Sequence, residues 1–145
     1  MDFRKVKLEN VIDGILEVAK LSFNKFYSKE KIYDRLKDKK YWIYVAEDKG
    51  KIIGFKIWYE DPSIKIYSWL GAVHPNYRRK GIATKLIRIQ FDMAKKMGYE
   101  IVQVKTHDGH PEMISLLSKE GFAQTKIDQD HWGIGKDALF YEKRV

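Results

Sequence analysis

Leu70-Gly71-Ala72-Val73-His74-Pro75-Asn76-Tyr77-Arg78-Arg79-Lys80-Gly81-Ile82-Ala83-Thr84-Lys85-Leu86-Ile87 is the stretch on which the fold turns. Its first four residues close an apolar run of strand character, His74-Pro75 breaks that run, and from Ile82 apolar residues return at helical spacing. Between them stands a basic loop ending in Gly81. A helix start leaves its first backbone N–H groups without intrahelical partners and carries a partial positive charge. A loop of this kind can hold phosphate oxygens: Gly81 lets the backbone come close, Arg78, Arg79 and Lys80 attract, and Thr84 brings a hydroxyl into the first turn. The competing reading is a solvated basic turn that happens to cap a helix.

Downstream, Ile82, Leu86, Ile89, Met93 and Met97 recur in steps of four and three, with Ala83, Ile87 and Ala94 on the adjacent stripe, and Gly98 stands where a helix ends. Glu100 to Thr106 reads as a strand. Pro111 suits the first position of a helix running to about Glu120 and closed by Gly121. Phe122 to Ile127 and Ala138 to Arg144 supply a final strand pair.

Upstream, Ile64 to Val73 is a long strand. Before it, Tyr41 to Glu47 and Ile52 to Tyr59 are rich in aromatic and β-branched residues, and the intervening Asp48-Lys49-Gly50 makes them an antiparallel hairpin. Asp61-Pro62-Ser63 is a further turn. Ser28 caps a short helix through Leu36 with Ile32, Tyr33 and Leu36 on one side. Val11 to Phe26 is an amphipathic helix that Asn10 can cap, and Phe3 to Leu8 alternates as a first strand. The order is βααβββαβαββ with no linker or repeat: one mixed α/β domain spanning 1–145.

A chain of 145 residues with 44% hydrophobic and 33% charged side chains is globular in composition and long enough to bury a core. The absence of cysteine excludes disulfides, thiolate metal sites and a cysteine nucleophile. With no signal peptide and no membrane-length apolar run, a cytoplasmic protein is expected. Lys plus Arg at 28 against Asp plus Glu at 20 gives a net charge of +8, which favours anionic partners.

The quoted stretch resembles the cofactor motif of the GNAT superfamily of acyl-CoA-dependent N-acyltransferases. A strand, a Val-His-Pro exit and an Arg-x-x-Gly-x-Ala loop stand in that family's order. Met113-Ile114-Ser115-Leu116-Leu117-Ser118-Lys119-Glu120-Gly121-Phe122 is similar to the family's last helix with its Gly-Phe ending. The resemblance implies a single α/β domain of the α+β type, with a mostly antiparallel sheet flanked by helices. It also implies that the strand at Leu70–Val73 splays from the one at Ile101–Thr106 and that acetyl-CoA (coenzyme A) is the cofactor. Backbone groups at Ala72 and Val73 would hold the pantetheine, and amides from Arg79 to Ala83 the pyrophosphate.

The usual chemistry of the family is direct attack of a primary amine on the thioester. Here the sequence departs from its pattern: Leu117 stands where many members carry a proton-donating Tyr, His110 where many have an Asn on the cofactor arm, and Met113 replaces a frequent Ala. Tyr67, His74 and His110 are the catalytic candidates, each with an alternative: an aromatic packed under a helix for Tyr67, a loop residue for His74, and a cofactor contact for His110. Tyr67 shares a strand face with Trp69 and can line an acceptor pocket. Glu60 and Asp61 read as a solvated turn before they read as bases. His107-Asp108-Gly109-His110 lacks further metal ligands, so no metal is expected, and Asp108 reads as a cap. The long connection 128–137 and the junction Phe26-Tyr27-Ser28 can close over an acceptor.

The expected function is N-acetyl transfer to an unidentified amine acceptor, a small molecule or a peptide. One alternative is an acyl-CoA-binding module without turnover, which Leu117 permits; a weaker one is a basic nucleic-acid-binding domain, which has no motif to support it. A homodimer fits the family habit.

Overall fold

The computed structural model describes residues 1–23, 27–62, 64–107 and 109–145. Its elements are β1 (Asp2–Lys5), α1 (Leu8–Ser22), α2 (Lys29–Leu36), β2 (Tyr41–Asp48), β3 (Lys51–Asp61) and β4 (Lys65–Val73). A 3-10 turn (Pro75–Tyr77) follows, then α3 (Ile82–Lys96), β5 (Ile101–His107), α4 (Pro111–Lys119), β6 (Ala123–Asp128) and β7 (Ala138–Arg144). This is the order read from the sequence. Phe26, Ser63 and Asp108, each given a local role there, lie outside the described residues.

The first boundary differs. β1 ends at Lys5 and Leu8 opens α1 with Lys7 at the N-cap, so Asn10 lies inside the helix and caps nothing. Leu8, Val11, Ile12, Ile15, Val18 and Ala19 form one buried stripe at helical spacing, which outweighs a strand alternation only a few residues long. α1 ends at Ser22, short of the expected Phe26, and Glu60 and Asp61 close β3 where a turn was expected, while the Ser28 hydroxyl accepts from the Lys31 amide at 3.1 Å and Pro111 begins α4. Lys49 and Gly50 turn the hairpin with φ of 52° and 78°.

Seven strands make one sheet in the order β1-β2-β3-β4-β5-β7-β6, antiparallel except where β4 meets β5. On one face α1 and α2 pack Ile12, Ile15, Val18, Ile32 and Leu36 against Val45, Phe55, Ile57 and Leu70. On the other, α3 and α4 contribute Ile87, Ala94 and Leu117 to a core with Trp42, Trp58, Ile66, Val102 and Val104. Burying each such large side chain contributes roughly 1.5–3 kcal/mol. α1 lies close on β3 because residue 14 has no side chain: a Cβ there would sit 2.8 Å from Ile52 Cδ1.

The sheet carries one break that positions a site. Ile57 faces Leu70 while Trp58 faces Ser68, so Trp69 is an extra residue in β4, a β-bulge. The bulge falls where β4 loses β5. Their pairing runs from Lys65↔Ile101 to Ser68↔Val104 and ends there, while β4 continues to Val73 along β3 and β5 to His107 along β7. The two strands part as a wedge open toward their C-terminal ends, as the resemblance implied.

Candidate active site

One wall of the wedge is the free edge of β4. The His74 amide donates to Ile53 O at 2.7 Å, and Ala72 O lies beside Gly54, so these groups turn toward β3. Alternation along the strand then turns the backbone groups of Gly71 and Val73 to the opening. Of the two residues expected there, Val73 presents its amide; its carbonyl accepts from the Ser22 hydroxyl at 3.2 Å. Gly71, which the sequence reading passed over, takes the place expected of Ala72.

At the open end the chain makes the 3-10 turn and the basic loop. His74 Nδ1 accepts from the Asn76 amide at 3.1 Å, and its ring meets the Tyr77 ring edge-on, so His74 serves as a loop brace. Arg79 and Gly81 both have positive φ, 62° and 78°, and together they aim the chain into α3. Among the described residues no side chain caps that helix, and the first amide bonded back is Lys85 to Gly81 O at 3.0 Å. The helix therefore offers uncommitted N–H groups at Ile82, Ala83 and Thr84. Nothing lies within 4 Å of where a Gly81 Cβ would be, so the space above the loop is open. Arg78, Arg79 and Lys80 are exposed and unpaired among the described residues, the Lys80 ammonium resting 5.3 Å from the Tyr77 ring centre. The arrangement fits a pyrophosphate: backbone donors at a helix start, loose cations and room.

On the α1/α2 face of the wedge, Tyr67 is buried and meets Tyr59 edge-on at 5.4 Å; burial pushes its hydroxyl up to about 12. It remains a phenol near neutrality. Trp69 packs with the same cluster despite the bulge, so the shared face expected for these two residues holds.

The other wall gathers three of the four histidines. His107 ends β5 and stacks against His110 at 3.9 Å between ring centres, while Trp132 from the β6–β7 connection meets His107 at 5.8 Å and His131 at 4.9 Å. His107 Nδ1 accepts from the Gly109 amide at 2.9 Å. Burial, helped by His107, holds the His110 ring below its usual range, so it is neutral at pH 7. The connection is braced internally: Asp130 Oδ1 accepts from the Gly135 amide at 2.7 Å, and Asp137 Oδ1 from the Asp130 amide at 2.9 Å. No group of three or more metal-ligating side chains forms among the described residues. Glu60 is taken by the Tyr99 hydroxyl at the paired end of β4, away from the opening.

Two groups escaped the sequence reading. Lys56 stands opposite Gly71 on β3, half-buried, and burial lowers its ammonium to about 8. Gln90, fully buried in α3, leaves both amide atoms without a partner among the described residues. Its spacing places it on the stripe of Ala83, Ile87 and Ala94, where it is the one amide. Leu117 is 1% exposed and belongs to the core, where it can donate no proton.

The family model described as "Acetyltransferase (GNAT) family" matches residues 12–122. N-alpha-acetyltransferase 30 of Schizosaccharomyces pombe is 28% identical over 102 residues, 68% of each chain. Among solved structures, the ribosomal-protein-S18-alanine N-acetyltransferase of Escherichia coli superposes with a TM-score of 0.88 at 18% identity, covering 99% of this chain and 93% of that one. An aminoglycoside 6'-N-acetyltransferase complexed with coenzyme A superposes at 0.86 with 14% identity, covering 99% and 97%. No helix among the described residues is long and apolar enough to cross a membrane.

Proposed function

Because this chain belongs to the acetyltransferase (GNAT) family of acyltransferase enzymes, we propose that it moves an acetyl group from acetyl-CoA to a primary amine by direct attack of that amine. The observation that carries the reading is the continuity of the wedge at Trp69 with the uncapped start of α3, a strand-like slot leading to an anion site. The names of the yeast relative and the E. coli neighbour support an α-amine as acceptor.

Acetyl-CoA, when bound, supplies a carbonyl already activated toward amines. The amides at Ile82, Ala83 and Thr84 and the Arg78, Arg79 and Lys80 cations bind the pyrophosphate. The backbone of Gly71 and Val73 pairs with the amide-rich arm and orients it, and an N–H on that edge polarises the carbonyl. Attack forms one C–N bond and breaks one C–S bond; the ammonium loses one proton before attack, and the second proton released by the nitrogen balances the departing thiolate, which leaves as free CoA. An α-amine near pKa ~7.7–8.0 needs less help in losing its proton than an alkyl amine near ~10.4. Of the three catalytic candidates, Tyr67 stays protonated and His74 is committed to its loop, so His110, neutral at pH 7, is the group able to accept that proton.

The buried Leu117 favours a second reading, an acyl-CoA-binding module without turnover. One pair of measurements separates the two: thermal unfolding with acetyl-CoA and release of free CoA across an amine panel. Stabilisation with CoA release supports the transferase, stabilisation without release supports the module, and neither defeats both.

A further inference from the structure

The α1/α2 face of the wedge carries an exposed cation held on aromatic rings. Arg35, on α2, lies 5.1 Å from the ring of Trp69, the bulge residue at which β4 leaves β5, and 5.9 Å from the ring of Tyr59. Its Nε donates to the Tyr59 hydroxyl at 3.1 Å. Lys39 stands beside it, its ammonium donating to Arg35 O at 2.7 Å and sitting 5.2 Å from the Tyr59 ring. Two positive charges thus share one aromatic platform.

Three other cations over this sheet find acids: Arg4 pairs with Glu47, Lys65 with Glu142 and Arg88 with Glu120. Arg35 has no carboxylate within ion-pair distance among the described residues. Asp61 is the acid facing this cluster from β3; it is near enough to act on Tyr67 and still does not pair with Arg35. Aromatic faces hold a guanidinium in place without neutralising it, and among the described residues only one of its five N–H donors is spent, on Tyr59. What remains is a planar fork matched to a carboxylate.

Resting on the acetyl-transfer reading, we propose that Arg35, with Lys39 beside it, selects the acceptor by binding a carboxylate carried close to the reacting amine. The substrates are acidic amines: either an amino acid, whose own α-carboxylate meets Arg35, or a peptide with Asp or Glu at its amino terminus. Trp69 places the guanidinium next to the bulge, so the carboxylate is held while the amine reaches the opening between β4 and β5.

The test is free-CoA release by the full chain with acetyl-CoA and matched acceptors. Free glutamate and aspartate are compared with their α-carboxamides, and tetrapeptides opening with Glu or Asp with those opening with Gln or Asn. The expected result is a kcat/KM at least roughly tenfold higher for the acidic member, expressed in KM. The amino-acid and peptide arms show which source of carboxylate is preferred. Arg35→Gln is expected to bring the acid-to-amide ratio toward one, and Arg35→Glu to invert it. Arg35→Lys, which keeps the charge but loses the fork, is expected to retain part of the ratio and serves if Arg35→Gln does not fold. A wild-type ratio near one overturns the proposal, as does a ratio untouched by Arg35→Gln or acetyl-CoA binding without turnover of any acidic acceptor. Failure of acetyl-CoA to shift the unfolding temperature at all marks instead the fall of the transferase reading beneath it.

Discussion

The Tyr77 hydroxyl donates to Asp48 Oδ2 at 2.9 Å, tying the entry to the basic loop to the β2–β3 hairpin. The same bond raises the tyrosine's pKa, so it persists across the neutral range. The cofactor loop is therefore braced from outside its own segment. Tyr77→Phe removes the brace and keeps the ring on which Lys80 rests. Titration calorimetry is expected to show acetyl-CoA affinity reduced roughly two- to tenfold, the range of one net hydrogen bond. An unchanged affinity would mean that the loop holds its shape alone.

Gly81 has a φ of 78° with open space around it, so substitution there acts through backbone strain and charge, without steric contact inside the protein. Gly81→Ala is expected to cost about 1–2 kcal/mol. Gly81→Glu also places a carboxylate against the incoming phosphates. Wild-type protein at about a hundredfold over the dissociation constant should gain roughly 2.7 kcal/mol, a rise of several degrees in Tm. Thermal unfolding with acetyl-CoA is expected to show that rise in the wild type and none in Gly81→Glu.

Gln90 is fully buried, with neither amide atom bonded among the described residues. Gln90→Met keeps the length and removes the polar atoms, and it is expected to stabilise the fold by about 1–3 kcal/mol, read from the denaturation midpoint. Destabilisation would show that the amide has a partner in solution.

The Lys56 ammonium is lowered to about 8 by burial. The folded state then resists carrying that charge, so the group's penalty on stability is full below pH 8. It is relieved as pH rises from about 8 toward the unfolded value of 10.5. Lys56→Met is expected to exceed the wild type in Tm at pH 7, with the gap narrowing by pH 10. A gap independent of pH would place the effect in packing.

Much of this molecule is determined by local chemistry and so is legible in residue order. Ser28 caps a helix because its hydroxyl reaches an amide three residues on, and Pro111 starts one because a first-turn amide needs no partner. Gly81 precedes α3 because the chain must turn there with positive φ. These signals set the element order, the anion loop and the resemblance to a family. Where competing periodicities overlapped, at Val6 to Leu8, burial of Leu8 against the sheet decided.

The rest belongs to contacts between segments far apart in the chain. The bulge at Trp69 exists only against β3, the wedge only because β5 turns from β4 to β7, and the backbone groups presented there follow from that register. Arg35 meets Trp69 because α2 docks on a strand more than thirty residues away, and Trp132 meets His107 because the β6–β7 connection folds back on β5. The order of residues determined which elements form and where a phosphate can rest. Only tertiary packing decided which backbone edge lies open and which cation overlooks it, because both depend on pairing and burial that no local stretch contains.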